Sequence, residues 1–237
     1  MKPWETLGRG TAPDGKTLEL RRRGHEYLIR ADGRDLMSNE DDGSSKALAT
    51  LALQRVAGGV RRVLVGGLGM GFTLRAALDG VDADAIVECA ELVDVVAEWN
   101  RGPLAAVAGA PLLDPRSRLF MGDVAVRITG ADQPWDLILL DVDNGPDALA
   151  HEGNTQLYGA EGLAAARRAL APGGVLGVWS FSDDAAFTRR CRDAGFDTVV
   201  ERVAASRKGR GRYHYIWLAQ RPAQEGAGKR NAPSGSR

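Results

Sequence analysis

The chain has 237 residues, 44% hydrophobic and 26% charged, and its 31 basic and 31 acidic side chains cancel to a formal net charge of zero. That length holds one large α/β domain with a small extension. The composition is that of a soluble globular protein, and neutrality leaves no global field to favour nucleic acid or an anionic membrane. The longest apolar runs fall far short of a membrane span, and the start, Met1-Lys2-Pro3-Trp4-Glu5, has no signal-peptide apolar region. The expected location is therefore the cytoplasm, where Cys89 and Cys191, which form no Cys-x-x-Cys or paired metal spacing, read as two reduced, buried thiols. His25, His151 and His214 are widely separated and form no zinc-ligand pair, so no metal is expected.

Residues 16–38 predict a small β element: Leu18, Leu20, Tyr27, Ile29 and Leu36 alternate imperfectly with polar residues, and Asp32-Gly33 is a hairpin-turn signal. A polar connector, Ser38 to Ser44, follows and closes a first unit at residues 1–44. Ser45 to Val56 then predicts a helix, with Ala47, Leu48, Leu51, Ala52 and Arg55 at helical spacing. From Arg62, strands are predicted at 62–66, 84–90, 117–121, 136–141, 174–180, 197–204 and 213–220. Helices fall between the first six of these, including 92–100, 160–170 and 184–194. Short apolar strands such as Asp136-Leu137-Ile138-Leu139-Leu140 suit a sheet buried on both faces, and the alternation predicts a doubly wound, mostly parallel α/β sheet over residues 45–220. The last two strands are joined by a short basic turn and so form an antiparallel hairpin. That turn, Arg207-Lys208-Gly209-Arg210-Gly211-Arg212, reads first as a solvated loop and second as a contact for RNA or an anionic substrate. Residues 221–237, rich in Gly, Ala, Pro, Ser and charge, read as a disordered tail.

The most informative stretch is Arg62-Val63-Leu64-Val65-Gly66-Gly67-Leu68-Gly69-Met70-Gly71. A β-branched strand runs into a Gly-x-Gly-x-Gly turn and then an amphipathic segment, Phe72 to Leu78. Gly66, Gly67, Gly69 and Gly71 let the backbone turn sharply and approach a ligand, and the helix start presents free N–H groups. The dinucleotide fingerprint would require glycine where Phe72 stands, and no Gly-Lys-Ser/Thr of a phosphate loop is present. The spacing resembles the first motif of class I S-adenosylmethionine-dependent transferases; a structural glycine turn is the alternative.

Ligands of an open α/β sheet bind beyond the carboxyl ends of its strands, so polar residues there are the candidates. Glu91, twenty positions after Gly71, ends the second of these strands and can accept from both ribose hydroxyls, with Glu88 as the fallback and a helix-start glutamate as the bland alternative. Gly122 and Asp123 end the third; Asp123 suits an adenine amino group and equally a helix N-cap. The fourth ends in Asp141-Val142-Asp143-Asn144-Gly145-Pro146. Asp141 is the candidate general base with Asp143 in support, and Asn144 a candidate substrate contact; an Asx-type turn is the alternative. Tyr158 and Trp179 are either walls of an acceptor pocket or core. Ser180 has no G-x-S-x-G elbow or triad partner in sequence, which argues against a hydrolase.

In order and character residues 17–220 resemble the spermidine synthase family, the polyamine aminopropyltransferases built on the class I methyltransferase fold. The matching segments are Val65 to Gly71, the Glu91 region, Gly122-Asp123, Asp136 to Asp141, and Leu157-Tyr158 before a helix ending Leu170-Ala171-Pro172-Gly173-Gly174. The resemblance implies a seven-stranded sheet, ribose on Glu91, adenine on Asp123 and a reacting amine at Asp141. The chain departs from the family pattern at three places. The family's Gly-Gly-Gly-Asp-Gly-Gly loop is neutral here near Leu68 or Gly69. Its Asp-Ser-Ser-Asp-Pro loop is shortened, and its Asp-Glu-x-x-Tyr-His-Glu gate has no match in Glu40 to Lys46.

The reading is a transferase that takes decarboxylated S-adenosylmethionine or S-adenosylmethionine as donor and passes an alkyl group to a small acceptor, an amine by preference. A methyltransferase without polyamine activity and a non-catalytic nucleoside-binding member of the fold are the alternatives. Partners beyond the acceptor are not signalled, and a homo-oligomer is left open.

Overall fold

The structure, a computed structural model, describes residues 2–142, 157–206 and 212–223. Strands β1 (Glu5–Thr11), β2 (Thr17–Arg23), β3 (Glu26–Ala31) and β4 (Arg34–Ser38) form an antiparallel sheet in sequence order. Ala31 pairs with Arg34 across Asp32 and Gly33, both at positive φ (46° and 77°), the two-residue turn that the Asp-Gly signal predicts. β1 lies before the predicted β element because Gly8 and Gly10 blur its alternation. Both glycines serve packing on the helix that follows later in the chain: a Cβ at Gly8 would stand 2.5 Å from Trp99 Nε1, and one at Gly10 would stand 2.5 Å from Val95 Cγ1.

A 3₁₀ turn, Asn39–Asp41, leads into α1 (Gly43–Arg55), which starts two residues before the predicted Ser45. The chain then alternates through β5 (Arg62–Gly66), α2 (Phe72–Gly80), β6 (Ile86–Glu91), α3 (Asp94–Arg101), β7 (Ser117–Met121), α4 (Val124–Thr129) and β8 (Trp135–Leu140). It continues through α5 (Ala160–Ala169), β9 (Leu170–Ser180), α6 (Ala185–Asp193), β10 (Asp197–Ala204) and β11 (Tyr213–Gln220).

The large sheet has seven strands in the order β10-β11-β9-β8-β5-β6-β7, and only β11 runs against its neighbours. Strand residues split by parity, as the pleat requires. Val63, Val65, Leu137 and Leu139 join the core under α1, α2 and the small sheet. Leu64, Ile138 and Leu140 join the opposite core with Val124, Leu163 and Phe187. The order reverses between β5 and β8, so the two loops leaving their carboxyl ends diverge there and open a crevice.

Candidate active site

The crevice holds the glycine loop on one side and Asp141 on the other. Asp141 N–H donates to the Gly66 carbonyl at 2.9 Å, extending the β5–β8 ladder by one step and fixing the two loops side by side. Gly67 has φ of 88°, and a Cβ there would stand 2.4 Å from the Asp141 carbonyl oxygen, so only glycine fits. Gly69 and Gly71 are also left-handed, and Gly71 is the N-cap of α2. Asn100, buried on α3, braces the loop from outside by donating Nδ2–H to the Gly69 carbonyl at 2.8 Å.

Glu91 ends β6 as predicted and is buried. Its Oε2 accepts from Leu68 N–H at 2.9 Å and its Oε1 from Val93 N–H at 2.8 Å. Burial pushes its carboxyl above the usual range, while the backbone donors of Leu68 and Val93 work the other way. The fallback, Glu88, is engaged elsewhere: its two oxygens pair with Arg127 Nε and Nη2 on α4. Gly122 donates to the Glu91 carbonyl at 2.8 Å, tying the end of β7 to that of β6. Asp123 takes the capping role, with Oδ1 accepting from Ala125 N–H at 2.8 Å at the start of α4, and its side chain is exposed. Beside these acids Leu92 and Met121 are exposed apolar side chains at adjacent strand ends.

Asp141 lines a cavity of about 150 Å³ with Met37 of β4, Ser44 and Ser45 of α1, Phe72 of α2, and Trp179 and Phe181 at the end of β9. Thr73 Oγ1 lies 2.5 Å from Asp141 Oδ2 and 3.1 Å from the Ser45 carbonyl; its single proton goes to the nearer, anionic oxygen. Burial raises the Asp141 carboxyl above the ordinary aspartate range, against hydrogen bonds from Thr73 and Ser45. Of the two aromatic candidates, Trp179 is in the wall. Tyr158 is fully buried, edge-on to Phe187 at 5.8 Å, and is not among the described residues that line the cavity. Asp143 and Asn144 lie outside the described residues.

The residues that sequence reasoning missed come from elements far apart in the chain. Ser44 Oγ and His214 Nδ1 are 2.8 Å apart, and Trp179 Nε1 donates to Ser44 Oγ at 3.0 Å. Thr73, Asn100 and Met37 are equally silent in sequence. The one available signal for His214 is its parity with the inward Ile216 and Leu218 on β11. Among the described residues no group of His, Cys, Asp and Glu is disposed to hold a metal, and no helix is long and apolar enough to cross a membrane.

Over 188 residues the sequence is 32% identical to the polyamine aminopropyltransferase of Mycobacterium tuberculosis, strain H37Rv. The chain is thus similar in sequence to a polyamine aminopropyltransferase. The same identity is found with the polyamine aminopropyltransferase of Mycobacterium bovis. In both cases the match covers 76% of this chain and 35% of the relative, so the chain spans about a third of their length. No family model matches it. Its fold is that of spermidine synthase crystal structures. One, in complex with the transition-state analogue AdoDATO, superposes with a TM-score of 0.71 at 19% identity, covering 92% of this chain and 73% of the other. The spermidine synthase of Thermotoga maritima gives 0.72 at 20% identity, covering 92% and 74%.

Proposed function

We propose that the chain transfers an aminopropyl group from decarboxylated S-adenosylmethionine to an amine. The carrying observation is Asp141: it ends a buried strand at the switch point, lines the cavity, and is held in place through Oδ2 by Thr73. The sequence similarity to polyamine aminopropyltransferases supports the same reading. The glycine loop and Glu91 would receive the nucleoside, with the exposed Leu92 and Met121 flanking the adenine and Asp123 offering its uncapped oxygen. Glu91 would serve the ribose partly through the loop it braces.

The acceptor nitrogen must be neutral to attack. Its lone pair forms a bond to the donor carbon beside the sulfonium. The carbon–sulfur bond breaks, its electrons stay on sulfur, and methylthioadenosine leaves. The proton released by the amine goes to Asp141, whose burial makes it a stronger base than a solvated aspartate. Positioning supplies the rest of the acceleration. A second reading, methyl transfer from S-adenosylmethionine, draws on the neutral, buried Leu68 in the glycine loop, where no acid stands to repel a donor carboxylate.

Asp141→Asn tests the assignment, since it keeps shape and removes basicity. Donor binding is expected to persist while turnover falls by about two to four orders of magnitude. Near-normal turnover in a folded variant would make Asp141 structural.

A further inference from the structure

One wall of the cavity carries groups that an ordinary polyamine leaves unmatched. His214 is 4% exposed, sits between Trp179 and Phe181 with ring centroids 4.6 and 5.1 Å away, and lines the cavity. Its Nδ1 is committed to Ser44. Trp179 Nε1 can only donate, so Ser44 Oγ is the acceptor of that bond and keeps its own proton to give to Nδ1. With Nδ1 accepting from Ser44, the imidazole proton stands on Nε2, which is shielded from solvent and has no hydrogen-bond partner among the described residues. Burial first, and Arg212 second, hold the ring neutral near a pKa of about 4, against a smaller opposing pull from Asp41. Arg212, exposed at the foot of β11, lines the same cavity with its guanidinium carbon 5.8 Å from the centre of the Phe181 ring, and makes no ion pair among the described residues.

We propose that the acceptor carries a carboxylate as well as its amine, with the carboxylate bound by Arg212 and His214 Nε2–H while the amine meets Asp141. The inference rests on the amine-transfer reading of this cavity. A protonated polyamine offers only donors; it would leave Nε2–H unsatisfied and bring an ammonium toward Arg212. A carboxylate supplies acceptors to both and matches the planar guanidinium fork. The acids on the same cavity, Asp141 and Asp41, complete the match to an amino acid that bears a side-chain amine.

Ornithine and diaminobutane differ only by the carboxylate and are the probes. Calorimetry on the full chain with methylthioadenosine present should find ornithine bound about tenfold or more tightly than diaminobutane, a difference of ~1.4 kcal/mol. In Arg212→Gln, an exposed position that does not threaten folding, the preference should fall to within about twofold. His214→Phe should lower it as well. Diaminobutane bound as tightly as ornithine, neither probe bound, or an unchanged preference in Arg212→Gln would overturn the inference. So would an Arg212→Gln chain that loses S-adenosylmethionine affinity and keeps its ornithine preference, because the carboxylate site would then be the donor's. Transfer from decarboxylated S-adenosylmethionine is assayed separately. If the binding preference stands and no amine is alkylated, the proposed reaction fails and the carboxylate site survives. Efficient transfer to diaminobutane with poor transfer to ornithine keeps the reaction and removes the site.

Discussion

At Asp141 and His214 burial disfavours charge and so moves the two pKa values in opposite directions, and each shift has a measurable consequence. Burial raises the Asp141 carboxyl above the ordinary aspartate value of 3.8, so the base is lost to protonation at a higher pH than a solvated aspartate would be. The acid limb of kcat/KM should therefore lie above that value and vanish in Asp141→Asn; a limb at or below 3.8 would contradict the assignment. His214 runs the other way, from 6.5 unfolded to about 4 folded. Between those values the unfolded chain binds the extra proton, so stability is full above pH 6.5 and is lost as pH falls toward 4. Arg212 adds to that shift and Asp41 opposes it. Denaturant titrations should show wild type losing roughly 1–2 kcal/mol more than His214→Gln between pH 7 and pH 5. Equal losses would mean that folding leaves the imidazole unshifted.

The glycine loop is an element whose shape is held from three sides: the Asp141 backbone, the Glu91 carboxylate and the Asn100 amide. Gly67→Ala puts a Cβ against a backbone carbonyl at positive φ, where neither partner can yield cheaply. It should destabilise the chain by about 1–3 kcal/mol and weaken nucleoside binding by more than Glu91→Gln does. Unchanged melting and unchanged methylthioadenosine affinity would show a loop looser than its hydrogen bonds indicate. The loop was legible in sequence because its glycines are contiguous and follow a β-branched strand. The Asp32-Gly33 hairpin was legible for the same local reason. β1 was not, since Gly8 and Gly10 answer to Trp99 and Val95 on a helix about ninety residues away. Local pattern records the turn a residue makes and omits the neighbour it must admit.

Across the whole molecule the same divide separates the strand-end acids from the cavity wall. Glu91, Asp123 and Asp141 were legible because a parallel sheet places every strand end on one side, so order along the chain predicts adjacency. Ser44, Thr73 and His214 meet only when α1, α2 and β11 are folded against one another, and no spacing in the sequence encodes that meeting. The small N-terminal sheet adds Met37 to the same wall, which makes it part of the site. The proposed aminopropyl transfer depends on this assembled crevice and is tested most directly by product identity. Equal concentrations of decarboxylated S-adenosylmethionine and S-adenosylmethionine are offered with ornithine and diaminobutane, and the nucleoside and amine products are identified by mass. The account predicts methylthioadenosine together with an amine heavier by one aminopropyl group; S-adenosylhomocysteine with a methylated acceptor, or bound donor with no product, would contradict it.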